Sequence, residues 1–109
     1  MKRVLFVCSQ NRLRSPTAEQ VFLNRVGFEV ASAGTDPAAD TPVSSELIEW
    51  ADVIFVMERA HRNRLMKRFK QHLKTKRIVC LDIPDEFEYM DPVLMKLLEA
   101  KVGPFFTRG

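Results

Sequence analysis

The chain has 109 residues, 46% of them hydrophobic, with 17 Lys or Arg against 14 Asp or Glu and a formal net charge of +3. That length serves one domain with one core, and no apolar run approaches the ~20 residues of a bilayer-spanning helix, so no membrane partner is expected. Two cysteines, Cys8 and Cys80, cannot frame a disulfide scaffold and suit a reducing compartment, and only five apolar residues follow Met1-Lys2-Arg3, too few for a signal peptide; the expected location is cytoplasmic.

Arg3 to Val7 is apolar without alternation, the pattern of a strand covered on both faces. The loop 8–15 follows. A helix is expected over 16–26, with Pro16 in its first turn, Gly27 as its stop, and Ala18, Val21, Phe22, Leu23 and Val26 on its apolar face. Phe28 to Ala33 reads as the second strand, turned by Gly34. Asp36 to Pro42 is loop, and a short helix is expected over about Ser44 to Trp50, with Trp50 in the core. Val53 to Met57 is the third strand. Arg59 to Leu73 is the third helix, its apolar stripe Leu65, Phe69 and Leu73 repeating every four residues. Arg77 to Leu81 is the fourth strand, 82–91 an acidic loop and Pro92 to Val102 the last helix, with Gly103 to Gly109 as a C-terminal tail of the single domain 1–109. Strands alternating with helices imply right-handed crossovers. The expected class is therefore α/β: one three-layer domain with a four-stranded parallel sheet and helices on both faces.

The chemistry concentrates in Cys8-Ser9-Gln10-Asn11-Arg12-Leu13-Arg14-Ser15, between the first strand and the first helix. A loop in that place aims backbone N–H groups at one point, where the helix dipole adds positive potential. The nucleophilic form of a cysteine is the thiolate, which such a field suits. Arg14 offers a planar fork of donors matched to two phosphate oxygens. Ser15 can donate to the sulfur, and Asn11 tolerates the left-handed backbone of a tight loop. In parallel sheets ligands sit at the carboxyl ends of the strands, where both this loop and the loop after the fourth strand emerge.

These residues resemble the low-molecular-weight protein tyrosine phosphatase family, whose loop reads C-x-x-x-N-x-x-R-S-P or a close variant. Ser32-Ala33-Gly34-Thr35 and Ala51-Asp52-Val53-Ile54-Phe55-Val56-Met57 are further family-like stretches, so the resemblance covers most of the chain. It implies a phosphate-binding loop at 8–15 and a metal-independent phosphomonoesterase working through a cysteinyl phosphate, without a cofactor. Cys8 and Arg14 would be catalytic, and Ser9, Gln10, Asn11, Arg12, Leu13 and Ser15 would line the phosphate site. The family's acid lies in an Asp-Pro-Tyr-like stretch after the fourth strand. Pro84-Asp85-Glu86-Phe87 matches it best, which points to Asp85, then Asp82, then Asp91, with Phe87 as an aromatic contact for the substrate. Asp91, just before Pro92, reads better as a helix cap.

The chain also departs from the family. The segment between Ser-Ala-Gly-Thr and Ala-Asp-x-Ile lacks room for a full extra helix, which implies a more open site. Glu88 stands where a second tyrosine would flank a phosphotyrosine ring, so the expected substrate is a phosphotyrosine protein or a small or polyanionic phosphomonoester. From Arg59 to Arg77 there are nine Lys or Arg and no Asp or Glu, a candidate contact for an anionic partner such as nucleic acid or, more simply, a solvated face. Two other readings stand beside the phosphatase. One is an arsenate-reductase-like thiol redox enzyme using Cys80; the other is a phosphate- or nucleic-acid-binding module without turnover. No metal site is expected: His61 and His72, eleven apart in a basic helix, read as surface residues.

Overall fold

The computed structural model describes residues 1–107. In chain order it consists of β1 (Lys2–Cys8), α1 (Arg14–Phe22), β2 (Phe28–Gly34), α2 (Ser45–Trp50), β3 (Val53–Val56), α3 (Arg59–Leu73), β4 (Arg77–Cys80) and α4 (Pro92–Thr107). The four strands form one parallel sheet in the order β2-β1-β3-β4. Helices cover both of its faces, as the strand–helix alternation requires.

Alternation along β1 explains why its whole sequence is apolar. Val4, Phe6 and Cys8 point to one face, where α1 and α4 supply Ala18, Phe22, Leu94, Leu98, Val102 and Phe106. Leu5 and Val7 point to the other, where α2 and α3 supply Ile48, Leu65 and Leu73. Both faces of a central strand are inside, so neither can be polar. Trp50 packs, half-buried, against the second cluster, as expected.

Two boundaries differ from the sequence pattern. Helix α1 stops at Phe22, and Val26, expected on its buried face, is 94% exposed. The chain must turn early to lay Phe28 beside Lys2. Arg25 N–H donates to Phe22 O, Phe28 N–H to Arg25 O and Lys2 N–H to Gly27 O, with Gly27 at φ +88°. The expected tail at 103–109 is instead helical through Thr107, continuing α4 across Gly103 and Pro104. Phe106 stacks on Phe22 at 4.3 Å and lies 4.7 Å from Phe28, and Phe105 meets Phe55 edge-on at 5.4 Å. Burying two phenylalanines yields about 2–3 kcal/mol each, enough to offset the roughly 3 kcal/mol penalty of an interior proline. Residues 108 and 109 of that expected tail lie outside the described residues. No helix among the described residues is long and apolar enough to cross a membrane.

Candidate active site

Strand β1 has β2 on one side and β3 on the other, so the chain reverses its direction of growth at β1. Such a switch point leaves a crevice at the carboxyl ends of the strands. Backbone bonds carry the neighbouring chains past their strand ends towards it: Met57 N–H donates to Val7 O, Leu81 N–H to Val56 O and Ile83 N–H to Met57 O. The loops after β1, β3 and β4 therefore meet there.

The loop after β1 is tied down first on its α1–β2 side. The carbonyls of Cys8, Ser9 and Gln10 accept from the amides of Thr35, Asp36 and Asp40 at 2.9, 2.9 and 3.1 Å. With these carbonyls turned outward, the amides of residues 9–13 are left without a protein acceptor among the described residues. Gly34 makes the close approach possible, because a Cβ there would stand 2.5 Å from Ser9 O and 2.6 Å from Ala39 Cβ. Asn11 sits in the left-handed region at φ +57° and donates through Nδ2 to Ser15 Oγ (3.0 Å) and Ser32 Oγ (2.9 Å). Ser32 donates onward to Glu19. Since Ser15 Oγ accepts from Asn11, its own proton is left for Cys8 Sγ, 2.9 Å away, or for Ala33 O at 3.4 Å, and the shorter contact is to the sulfur.

The α3 side is built from charge. Arg14 is 2% exposed, and its Nη1 donates both to Glu58 Oε1 and to Ile83 O. Its Nε has no hydrogen-bond partner and lies 3.8 Å from Asp85 Oδ1. With Nη1 fixed, the guanidinium is held as a preset fork. Glu58 is the N-cap residue of α3, and its backbone N–H donates to His61 Nδ1 at 3.0 Å. His61 Nε2 in turn lies 2.9 Å from Ser9 Oγ. Burial, then the nearby Arg14 cation, lowers the His61 pKa to about 4 against the usual 6.5, so the ring is neutral near pH 7.

A cleft of about 500 Å³ opens over these groups, lined by Cys8, Ser9, Gln10, Arg12, Leu13, Arg14 and Asp85. Asn11 and Ser15 are buried behind it. Phe87, expected as a substrate contact, packs half-buried against the α1–α4 core cluster and is not among the residues that line the cleft, because apolar burial in the core competes with exposure at the site. Of the three acids considered, Asp85 lines the cleft. Asp82 accepts from the Cys80 thiol at 3.4 Å, and Asp91 accepts from Val93 N–H at 2.8 Å as a cap of α4. Arg12 lies in an exposed pair with Asp40 at 3.3 Å.

The sequence reading missed Glu58 and misplaced His61, which is 2% exposed rather than on the surface. A signal was present: Glu-x-x-His straight after a strand has the spacing of a reciprocal helix cap, with His in the position where Glu or Gln usually serves. Cys80 and Cys8 pack on opposite faces of the sheet, the former with the α2–α3 cluster and the latter with the α1–α4 cluster. Two strand spacings also separate β1 from β4, roughly 10 Å, beyond the reach of a disulfide without backbone movement.

This architecture is that of the low molecular weight protein tyrosine phosphatases, a three-layer fold with a cysteine loop at the end of its first strand. The YwlE arginine phosphatase from Geobacillus stearothermophilus superposes with a TM-score of 0.82 at 23% identity, over 99% of this chain and 92% of that one. Vibrio vulnificus Wzb, in complex with benzylphosphonate, gives 0.80 at 21% identity over 99% of each chain. SP-PTP, the low molecular weight protein tyrosine phosphatase from Streptococcus pyogenes, gives 0.80 at 20% identity over 99% and 93%. No family model and no curated protein matches the sequence.

Proposed function

We propose that this protein is a metal-independent phosphomonoesterase acting through a cysteinyl phosphate. The observation that carries the reading is the convergence of Cys8, Arg14 and Asp85 on one cleft whose floor is a loop of outward carbonyls and unengaged amides. The Cys8 thiolate attacks phosphorus in line, an S–P bond forms, and the P–O bond to the leaving group breaks. Asp85 delivers its proton to the departing oxygen. It then takes a proton from the water that cleaves the S–P bond and releases phosphate. Loop amides and the Arg14 fork hold the equatorial oxygens throughout, and Ser15 stabilises the sulfur as it leaves. Gln10, Arg12 and Leu13 form the remaining wall of the phosphate site.

The cleft wall holds two cations, Arg12 and Arg14, beside the polar Ser9 and Gln10, which supports a small or polyanionic phosphomonoester over a tightly clamped phosphotyrosine. The basic stretch 59–77 is exposed along most of its length, and we infer that it meets an anionic partner. Two unpaired cysteines, one of them the nucleophile, favour a cytoplasmic site of action. The opposite-face packing of Cys80 weighs against the arsenate-reductase-like alternative.

The test is hydrolysis of p-nitrophenyl phosphate in EDTA. Wild type is expected to turn over, Cys8→Ser to be inactive, and Asp85→Asn to be slowed by roughly 10²–10⁴-fold. Turnover by Cys8→Ser, or an inert wild type that still binds phosphate, contradicts the reading. A panel of phosphotyrosine peptide, phosphoarginine and 5′-phosphorylated oligonucleotide then ranks substrates.

A further inference from the structure

A backbone N–H can only donate, so the contact from Glu58 N to His61 Nδ1 at 3.0 Å fixes Nδ1 as the lone-pair nitrogen. A neutral ring then carries its proton on Nε2, which lies 2.9 Å from Ser9 Oγ. Ser9 must accept there, so its own hydroxyl proton has to go elsewhere. Among the described residues Ser9 Oγ has no other partner, and Ser9 lines the cleft directly beside Cys8. The logic is that of Ser15 on the opposite side of the loop, where an accepted bond from Asn11 leaves the hydroxyl proton for another acceptor, the sulfur at 2.9 Å or Ala33 O at 3.4 Å.

We propose that His61 is a positioning residue that, as the neutral Nε2–H tautomer, turns the Ser9 hydroxyl into a hydrogen-bond donor aimed at a phosphoryl oxygen in the cleft. The proposal rests on the phosphatase reading and assigns Ser9 a direct contact to the substrate. No proton is transferred: Ser9 keeps its hydrogen and shares it with an oxygen that gains charge as the phosphoryl group moves. Protonating His61 would sacrifice the Glu58 N–H bond. Two cations, Arg14 from the start of α1 and Arg64 from α3, oppose that protonation; two carboxylates, Glu58 and Asp85, favour it; and burial decides against it. The tautomer is therefore held throughout the neutral range.

Five proteins test this: wild type, Ser9→Ala, His61→Phe, the double variant, and His61→Gln as the conservative replacement whose terminal amide can still donate to Ser9. Ser9→Ala and His61→Phe are each expected to lower kcat/KM for p-nitrophenyl phosphate roughly tenfold, the scale of one hydrogen bond to a charged group. They should weaken inorganic phosphate binding by a similar factor. The double variant should be no worse than either single one, and His61→Gln should recover most of the loss. Additive losses, or unchanged phosphate affinity in His61→Phe, overturn the proposal. Should His61→Phe fail to fold, ¹⁵N-resolved NMR of the wild-type ring decides: a proton on Nε2 at neutral pH is required, and one on Nδ1 refutes it. Phosphate affinity and the tautomer are read without turnover, so failure of the phosphatase reading would show separately, as an inert wild type.

Discussion

On its α1–β2 side the Cys8 loop is held by amides and hydroxyls: Asn11, Ser15 and Ser32, ending on the Glu19 carboxylate. On its α3 side it is held by ionisable groups: Arg14 on Glu58, and Ser9 on a buried neutral His61. The first set comes from segments close in sequence and fixes the shape of the loop. The second comes from the loops after β3 and β4 and from the first turn of α3, up to 69 residues away, and fixes where charge and donors point. Damage to the first should cost stability and activity together, whereas damage to the second should cost mainly activity.

The largest expected effect is at Gly34, where shape is most constrained. Gly34→Ala forces a Cβ to 2.5 Å from Ser9 O and 2.6 Å from Ala39 Cβ. Overpacking of that kind costs about 3 kcal/mol, a fall in melting temperature of roughly 10–20 °C for a domain of this size. A wild-type melting curve would show that the close approach is not needed. Next come Asn11→Ala and Glu58→Gln, which divide the two sides. Asn11→Ala removes two donors and a residue suited to φ +57°, and should destabilise by about 2 kcal/mol while lowering turnover. Glu58→Gln should lower kcat/KM at least about tenfold by loosening Arg14, with a melting temperature within about 3 °C of wild type. Equal stability losses in the two variants would erase the distinction.

A third difference is in pH dependence. The folded-state pKa of His61 is depressed from 6.5 to about 4, so the unfolded chain takes up its proton first as pH falls. Stability from this group is complete above pH 6.5 and is lost as pH drops through about 4. Wild type should therefore lose more of its melting temperature across that window than His61→Phe. Parallel curves would mean that His61 is not neutral in the folded protein. The smallest effect is expected away from both sides of the loop. Replacing exposed Lys67 and Lys70 by Gln should leave p-nitrophenyl phosphate hydrolysis within about twofold, while raising KM for a phosphorylated oligonucleotide at low salt. Unchanged KM would reduce the basic stretch to a solvated face.

Legibility in the sequence follows the same division. The four strands, and the run from Cys8 to Ser15, can be read because their residues are consecutive and each type has one evident use. Asp85 could be placed near the cleft because its loop leaves the same sheet edge as Cys8. Glu58 and His61 could not, since a helix cap and a histidine among nine cations have ordinary explanations. Only the parallel register of β1 and β3 brings residue 61 against residue 9. Phe87 is ambiguous for a related reason, because an aromatic beside an acid serves a core as readily as a substrate. The expected tail from Gly103 is helical through Thr107 because Phe105 and Phe106 bury against the sheet and α1, contacts that no local pattern reveals.

The central claim is that both sides of the loop serve one thiolate. It is tested most directly by mixing Asp85→Asn enzyme with p-nitrophenyl phosphate, quenching in the cold and mapping the phosphorylated peptide by mass spectrometry. The account predicts a phosphoryl group on Cys8 that accumulates as hydrolysis of the S–P bond slows. Turnover with no phosphorylated Cys8, or with the phosphoryl group on another residue, would contradict it.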